Sequence, residues 1–199
     1  MINQMPLTPM QKAYLLGKSK MFPLSQSSMH DFRELHGKID AEIFSQRLTI
    51  LVKHYSALRT MIDETRLVQY VAPKIELTNQ LKIYDFRQLN ISEAVRRLDL
   101  LREEYRYFLH DLAISPWQIA LIQLPEKAEV SSVVLTSFDG LIIDGYSISV
   151  LLDQLFDFTR DLNNLLSSEE KKSNTDDIDF FNATEKDRQF WHEKLSRVD

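Results

Sequence analysis

Asp139 and Asp144 stand five residues apart, each followed by glycine, in the run SFDGLIIDGYS from Ser137 to Ser147. Two carboxylates at that spacing can divide general acid and base work if their surroundings separate their pKa values, or they can hold a metal ion through oxygen. A turn role stays open beside both, because Asp-Gly is a favoured turn pair. The chain has four glycines, Gly17, Gly37, Gly140 and Gly145, and two of them lie in this run. Glycine is used where the backbone takes positive φ or is closely approached, so unusual backbone geometry is expected after each aspartate. Metal binding has little support: no third ligand lies nearby, and His30, His36, His54, His110 and His192 lack ligand spacing. Ser147 has neither G-x-S-x-G surroundings nor a neighbouring histidine, so it reads as a helix cap and not as a nucleophile. Neither G-x-x-x-x-G-K-S/T nor G-x-G-x-x-G is present to cradle a phosphate.

The elements that must position this run can be read from periodicity. EVSSVVLTSF is a β-rich run that delivers it, and Ile148, Leu151, Leu152, Leu155, Phe156 and Leu162 recur at helical spacing beyond it. The run therefore occupies a loop between a strand end and a helix, where a rigid scaffold can present functional groups. PWQIALIQL predicts the strand before, joined through PEKA. Earlier, Thr8, Pro9 and Gln11 match a helix start with a capping box, and Gly17 is expected to end that helix. A second helix is expected from Asp40, with Phe44, Leu48, Leu51, Val52 and Tyr55 as its inward stripe. LRTMI and RLVQYVA read as a hairpin, LKIYDF as another strand, and Ser92 to His110 as a long charged helix. SSEEKKSNTDDID interrupts the apolar pattern as a linker, and Thr184 can cap a last helix carrying Phe190, Trp191 and Leu195.

Composition narrows the function classes. With 199 residues, 44% hydrophobic and 27% charged, the chain can bury a core of ordinary size. A net charge of -5 gives no electrostatic footprint for nucleic acid. No apolar run is long enough to span a bilayer and the N-terminal residues do not read as a signal peptide, so no membrane partner and a cytoplasmic location are expected. The absence of cysteine excludes disulfides, thiolate nucleophiles and cysteine zinc sites.

The spacing Asp139-x4-Asp144-x2-Ser147 resembles the D-x4-D-x2-S signature of heterocyclization domains in nonribosomal peptide synthetases, members of the condensation-domain superfamily. Support comes from order along the chain. PLTPMQKAYLLGK, Pro6 to Lys18, resembles that family's opening motif, with Lys18 where arginine is usual. KHYSALRT, Lys53 to Thr60, is similar to its second motif, and YDFR, SPWQIALIQL and RQFWHEKL follow in family order. The ordinary condensation signature, H-H-x3-D-G, keeps an imidazole where this chain has Gly140, which is the difference between the two subtypes.

What the resemblance implies is an α/β fold, a chloramphenicol-acetyltransferase-like lobe with a mixed β-sheet covered by helices. The activity it implies joins a carrier-bound acyl group to carrier-bound cysteine, serine or threonine and dehydrates the amide to a thiazoline or oxazoline, as in siderophore-like peptides. On this reading Asp139 faces substrate, Asp144 pairs with Arg59 beneath the tunnel, and Ser147 completes the signature, with Gly140 and Gly145 as structural support. Residues 1–165 are expected to form the N-terminal lobe, 166–183 a polar linker, and 184–199 a helix leading toward a second lobe that the chain lacks. Peptidyl or aryl carrier proteins and other synthetase domains are the expected partners. Phosphopantetheine arrives attached to those carriers, so no cofactor is expected to bind this chain directly. The rival reading is a noncatalytic module that docks a carrier protein or a synthetase subunit. A free acyltransferase of the superfamily is weaker, since it needs the missing imidazole.

Overall fold

Alternation along two strands, β6 (Trp117–Gln123) and β7 (Ser132–Asp139), organises the core. The computed structural model describes residues 4–18, 29–159, 161–162 and 185–196. Trp117, Ile119, Leu121, Val134 and Phe138 point to one face of the sheet, where α2 (Ala41–His54) and α4 (Gly145–Phe156) cover them. Ala120, Ile122, Val133 and Leu135 point to the other, beneath α3 (Ile91–Arg106). A strand covered on both faces carries no solvent-facing row, which is why every residue of β7 is buried.

The sheet has the order β2-β7-β6-β5, where β2 is His30–Gly37 and β5 is Leu81–Asp85. Its β2–β7 and β7–β6 pairs are antiparallel and its β6–β5 pair is parallel. A separate antiparallel sheet has the order β1-β4-β3, from β1 (Gln4–Pro6), β3 (Thr60–Asp63) and β4 (Val68–Val71). The expected mixed sheet covered by helices is present, and the expected hairpin is β3–β4 of this smaller sheet, to which β1 is added. A short cluster of Leu7, Ile62, Leu112 and Leu141 joins it to the residues that follow β7.

The helix ends follow sequence chemistry. In α1 (Pro9–Lys18) the backbone N–H of Thr8 donates to Gln11 Oε1 at 2.9 Å and that of Gln11 to Thr8 Oγ1 at 3.2 Å, a complete capping box. Gly17 lies inside this helix and does not end it. Asp40 caps α2 by accepting from the N–H groups of Glu42 and Ile43. The C-terminal end of α4 is held by buried Arg47, whose guanidinium donates to the carbonyls of Gln154, Leu155 and Asp157.

The chain divides into two compact units, residues 1–167 and 168–199. In the second, the described residues form α5 (Glu185–Leu195), on which Phe190, Trp191 and Leu195 are exposed. The expected linker at 166–183 and the expected cap Thr184 lie outside the described residues. Among the described residues no helix is long and apolar enough to cross a membrane.

Candidate functional site

The run singled out in the sequence leaves the sheet at the end of β7 and enters α4, as its periodicity predicts. Ser137 and Asp139 share the face of β7 that carries Val133 and Leu135, so the strand aims them past α3 toward the C-terminal end of α1. Asp139 is fully buried. Its Oδ2 accepts from Lys18 Nζ at 2.6 Å and its Oδ1 from the Leu141 N–H at 3.0 Å, so both oxygens are engaged inside the protein. The substrate-facing carboxylate expected at this position is therefore enclosed, and the reason is Lys18, which neutralises a charge that would otherwise be stranded away from water.

Asp144 sits at the exposed end of the loop. It is the N-cap of α4: Oδ1 accepts from the N–H groups of Tyr146 and Ser147, and Oδ2 from the Ser147 hydroxyl at 2.7 Å. These bonds, those from Ser147 foremost, hold the carboxyl below its usual range. Ser147, expected to cap the helix, instead supports the cap from the third helical position. The expected Arg59–Asp144 pair is not formed. Arg59 donates to the carbonyls of Val52, Lys53 and Ala72, and so closes the C-terminal end of α2. Three unsatisfied carbonyls compete for that guanidinium, while Asp144 has its own donors in α4.

Neither glycine has positive φ, so of the two expected reasons for glycine only close approach is left. Gly140 is required by close approach. A Cβ there would lie 2.9 Å from the Met29 carbonyl oxygen and 3.0 Å from Met29 Cγ, and the Gly140 N–H donates to that same carbonyl at 2.6 Å. The residue preceding β2 thus continues the ladder past the end of β7. Gly145 has only Asp31 Oδ2 near its Cβ direction, at 3.9 Å. Its carbonyl accepts from Arg33, which also donates to Ser149 and pairs with Asp31.

Two histidines the sequence left unassigned lie behind the loop. His110 is buried, with Nδ1 3.1 Å from the Ser115 carbonyl and Nε2 2.8 Å from Ser137 Oγ. A carbonyl only accepts, which assigns the proton to Nδ1 and leaves Nε2 to accept from the serine hydroxyl. Burial pushes the imidazole down to about 4, so it is neutral at physiological pH. The His30 ring lies 6.3 Å from it, and His30 Nε2 is 3.1 Å from the Tyr105 carbonyl. Among the described residues no group of His, Asp and Glu gathers to hold a metal ion.

On the solvent side, Tyr55, Leu58, Ile142, Ile143, Tyr146 and Val150 line an apolar groove of about 330 Å³ beside the N-terminus of α4. The second motif and the signature loop are thereby brought together, through packing and not through an ion pair.

A family model described as condensation domain matches residues 1–198, and the chain belongs to the condensation-domain family of nonribosomal peptide synthetases. It is 26% identical over 172 residues to gramicidin S synthase 2 of Brevibacillus brevis, covering 83% of this chain and 4% of that protein. It is 30% identical over 125 residues to cyclosporin synthetase of Tolypocladium inflatum, covering 62% of this chain and 1% of that protein. Among solved structures it resembles the EpoB cyclization-docking bidomain from Sorangium cellulosum, with a TM-score of 0.75 at 22% identity. That match covers 98% of this chain and 40% of the bidomain, so the chain spans a small part of these relatives. The α/β fold is the chloramphenicol-acetyltransferase-like fold of condensation domains.

Proposed function

We propose that the chain contributes the signature-loop lobe of a heterocyclization-type condensation domain. The observation that carries this reading is Gly140: the position of the condensation imidazole holds glycine, and the Met29 backbone lies where a side chain would begin. The D-x4-D-x2-S spacing and the fold shared with a cyclization bidomain support it. In the proposed reaction the amine of a carrier-bound cysteine, serine or threonine attacks the donor thioester carbonyl, forming the amide as the donor thiol leaves. The acceptor side chain then adds to that amide carbonyl, and loss of water closes the thiazoline or oxazoline. Both substrates arrive on phosphopantetheine arms of carrier proteins, and a second lobe supplies the remaining tunnel wall. Asp139 serves this chemistry as a buried anchor of the loop; direct contact with substrate requires its Lys18 pair to open.

The test is intact-mass spectrometry of the acceptor carrier after reaction of this chain with a second lobe, a loaded donor carrier and a cysteinyl acceptor carrier. A product one water lighter than the amide supports the reading. Carrier binding without amide or ring replaces it with a noncatalytic docking module, and amide without water loss replaces it with ordinary condensation.

A further inference from the structure

Helix α1 addresses the signature loop with one stripe. Gln11, Tyr14, Leu15 and Lys18 stand at i, i+3, i+4 and i+7, so they share a face two turns long, about 10 Å from end to end. Tyr14 and Leu15 pack on the cluster containing Leu141, together with Ile142. At the C-terminal end of the stripe Lys18 holds Asp139. At the N-terminal end Gln11 Nε2 donates to the Leu141 carbonyl at 2.8 Å and to Gln69 Oε1 of β4 at 2.9 Å. Met10 and Leu16, off this face, are exposed.

We propose that Gln11 is a positioning residue for the signature loop: its amide N–H group on the Leu141 carbonyl, with Lys18 on Asp139, makes α1 a two-point strut. The strut fixes the path of residues 139–143 between the two aspartates. The side chain divides its two ends between separate tasks. Oε1 closes the capping box of α1, and Nε2 reaches the loop 130 residues away in sequence. A helix cap alone needs only the oxygen. The consequence for turnover rests on the heterocyclization reading; the placement of the loop does not.

Because the tasks are divided, Gln11→Glu separates them. Glutamate keeps the capping acceptor, suits a helix N-terminus and can still accept from Gln69 Nε2, but it has no donor for the Leu141 carbonyl or for Gln69 Oε1. Hydrogen–deuterium exchange on the full chain reads the result at the amides of Leu141, Ile142 and Ser147, with the β6 amides of Ile119 and Leu121 as internal controls. Loss of the part-buried bond to the Leu141 carbonyl should speed exchange about five- to tenfold in the loop and leave β6 unchanged. Unchanged loop exchange, or equal acceleration in β6, overturns the proposal and makes Gln11 a cap or a general stability residue. In the reconstituted pair, Gln11→Glu should lower kcat with little change in KM. If the loop loosens but the wild-type pair forms no ring, the strut stands and the heterocyclization reading falls.

Discussion

Replacing Lys18 with methionine strands the Asp139 charge. The carboxylate is fully buried, and after the change only the Leu141 N–H remains on Oδ1. Breaking a buried pair from one side costs about 3–5 kcal/mol. The Lys18 side chain keeps 14% exposure, so water reaches the pair and the lower figure, about 3 kcal/mol, applies. For a chain of this size that lowers Tm by about 6–12 °C. Asp139→Asn costs less, about 1–2 kcal/mol, because the released lysine can turn to solvent and the amide still accepts from Leu141. In the double variant no charge is stranded, so it should cost about 1–2 kcal/mol, no more than Asp139→Asn alone, with a coupling energy of about 3 kcal/mol. Urea unfolding of the wild type, both single variants and the double variant at neutral pH measures the cycle. A Lys18→Met cost below about 0.5 kcal/mol, or strictly additive single effects, refutes the reasoning that the two groups form a buried charge pair.

Other consequences can be checked separately. His110 is neutral in the folded chain down to about pH 4, whereas its unfolded counterpart charges near 6.5. The unfolded chain therefore binds more protons between those values, and stability should fall by about 3 kcal/mol as pH drops from 6.5 to 4. Calorimetry across that range should show the slope in the wild type and its loss in His110→Gln. Glu34, held at about 2 chiefly by its bond from Arg102, stabilises the fold above its ordinary pKa of 4.5, and that contribution is lost as pH falls further toward 2. Gly140→Ala places a methyl group against the Met29 carbonyl and should cost about 1–3 kcal/mol in thermal unfolding, with Gly145→Ala nearly neutral. Because Arg59 and Asp144 cap different helices, Arg59→Met and Asp144→Ala should add to within about 0.5 kcal/mol; strong coupling would restore the direct pair.

Local chemistry makes much of this fold legible. The capping box at Thr8 and Gln11, the cap at Asp40 and the strand–loop–helix passage through Asp139 and Asp144 all follow from residues within one or two turns of each other. Strand β2 is not legible in this way, because HDFRELHG places Phe32 and Leu35 three apart and shows no alternation; its eight residues become a strand by pairing along the whole of β7. The Lys18–Asp139 pair joins positions 121 apart, and neither residue advertises the other. Its signal is the i, i+7 relation of Gln11 and Lys18 around Tyr14 and Leu15, a stripe that identifies a packed face without naming its target. Arg59 misleads because an arginine near an expected ion pair also fits the end of the helix before it. Gly140 reads as necessary from its sequence neighbours, but the cause is close approach by Met29 and not a left-handed backbone.

The most direct test isolates ring closure from amide formation. This chain and a second lobe are given an acceptor carrier already bearing the condensed cysteinyl amide, and the carrier mass is followed with time. Loss of one water that requires this chain, and that slows in Gln11→Glu, is the predicted result. An amide that persists unchanged, while the same pair still forms amide from separate donor and acceptor carriers, would contradict the heterocyclization assignment.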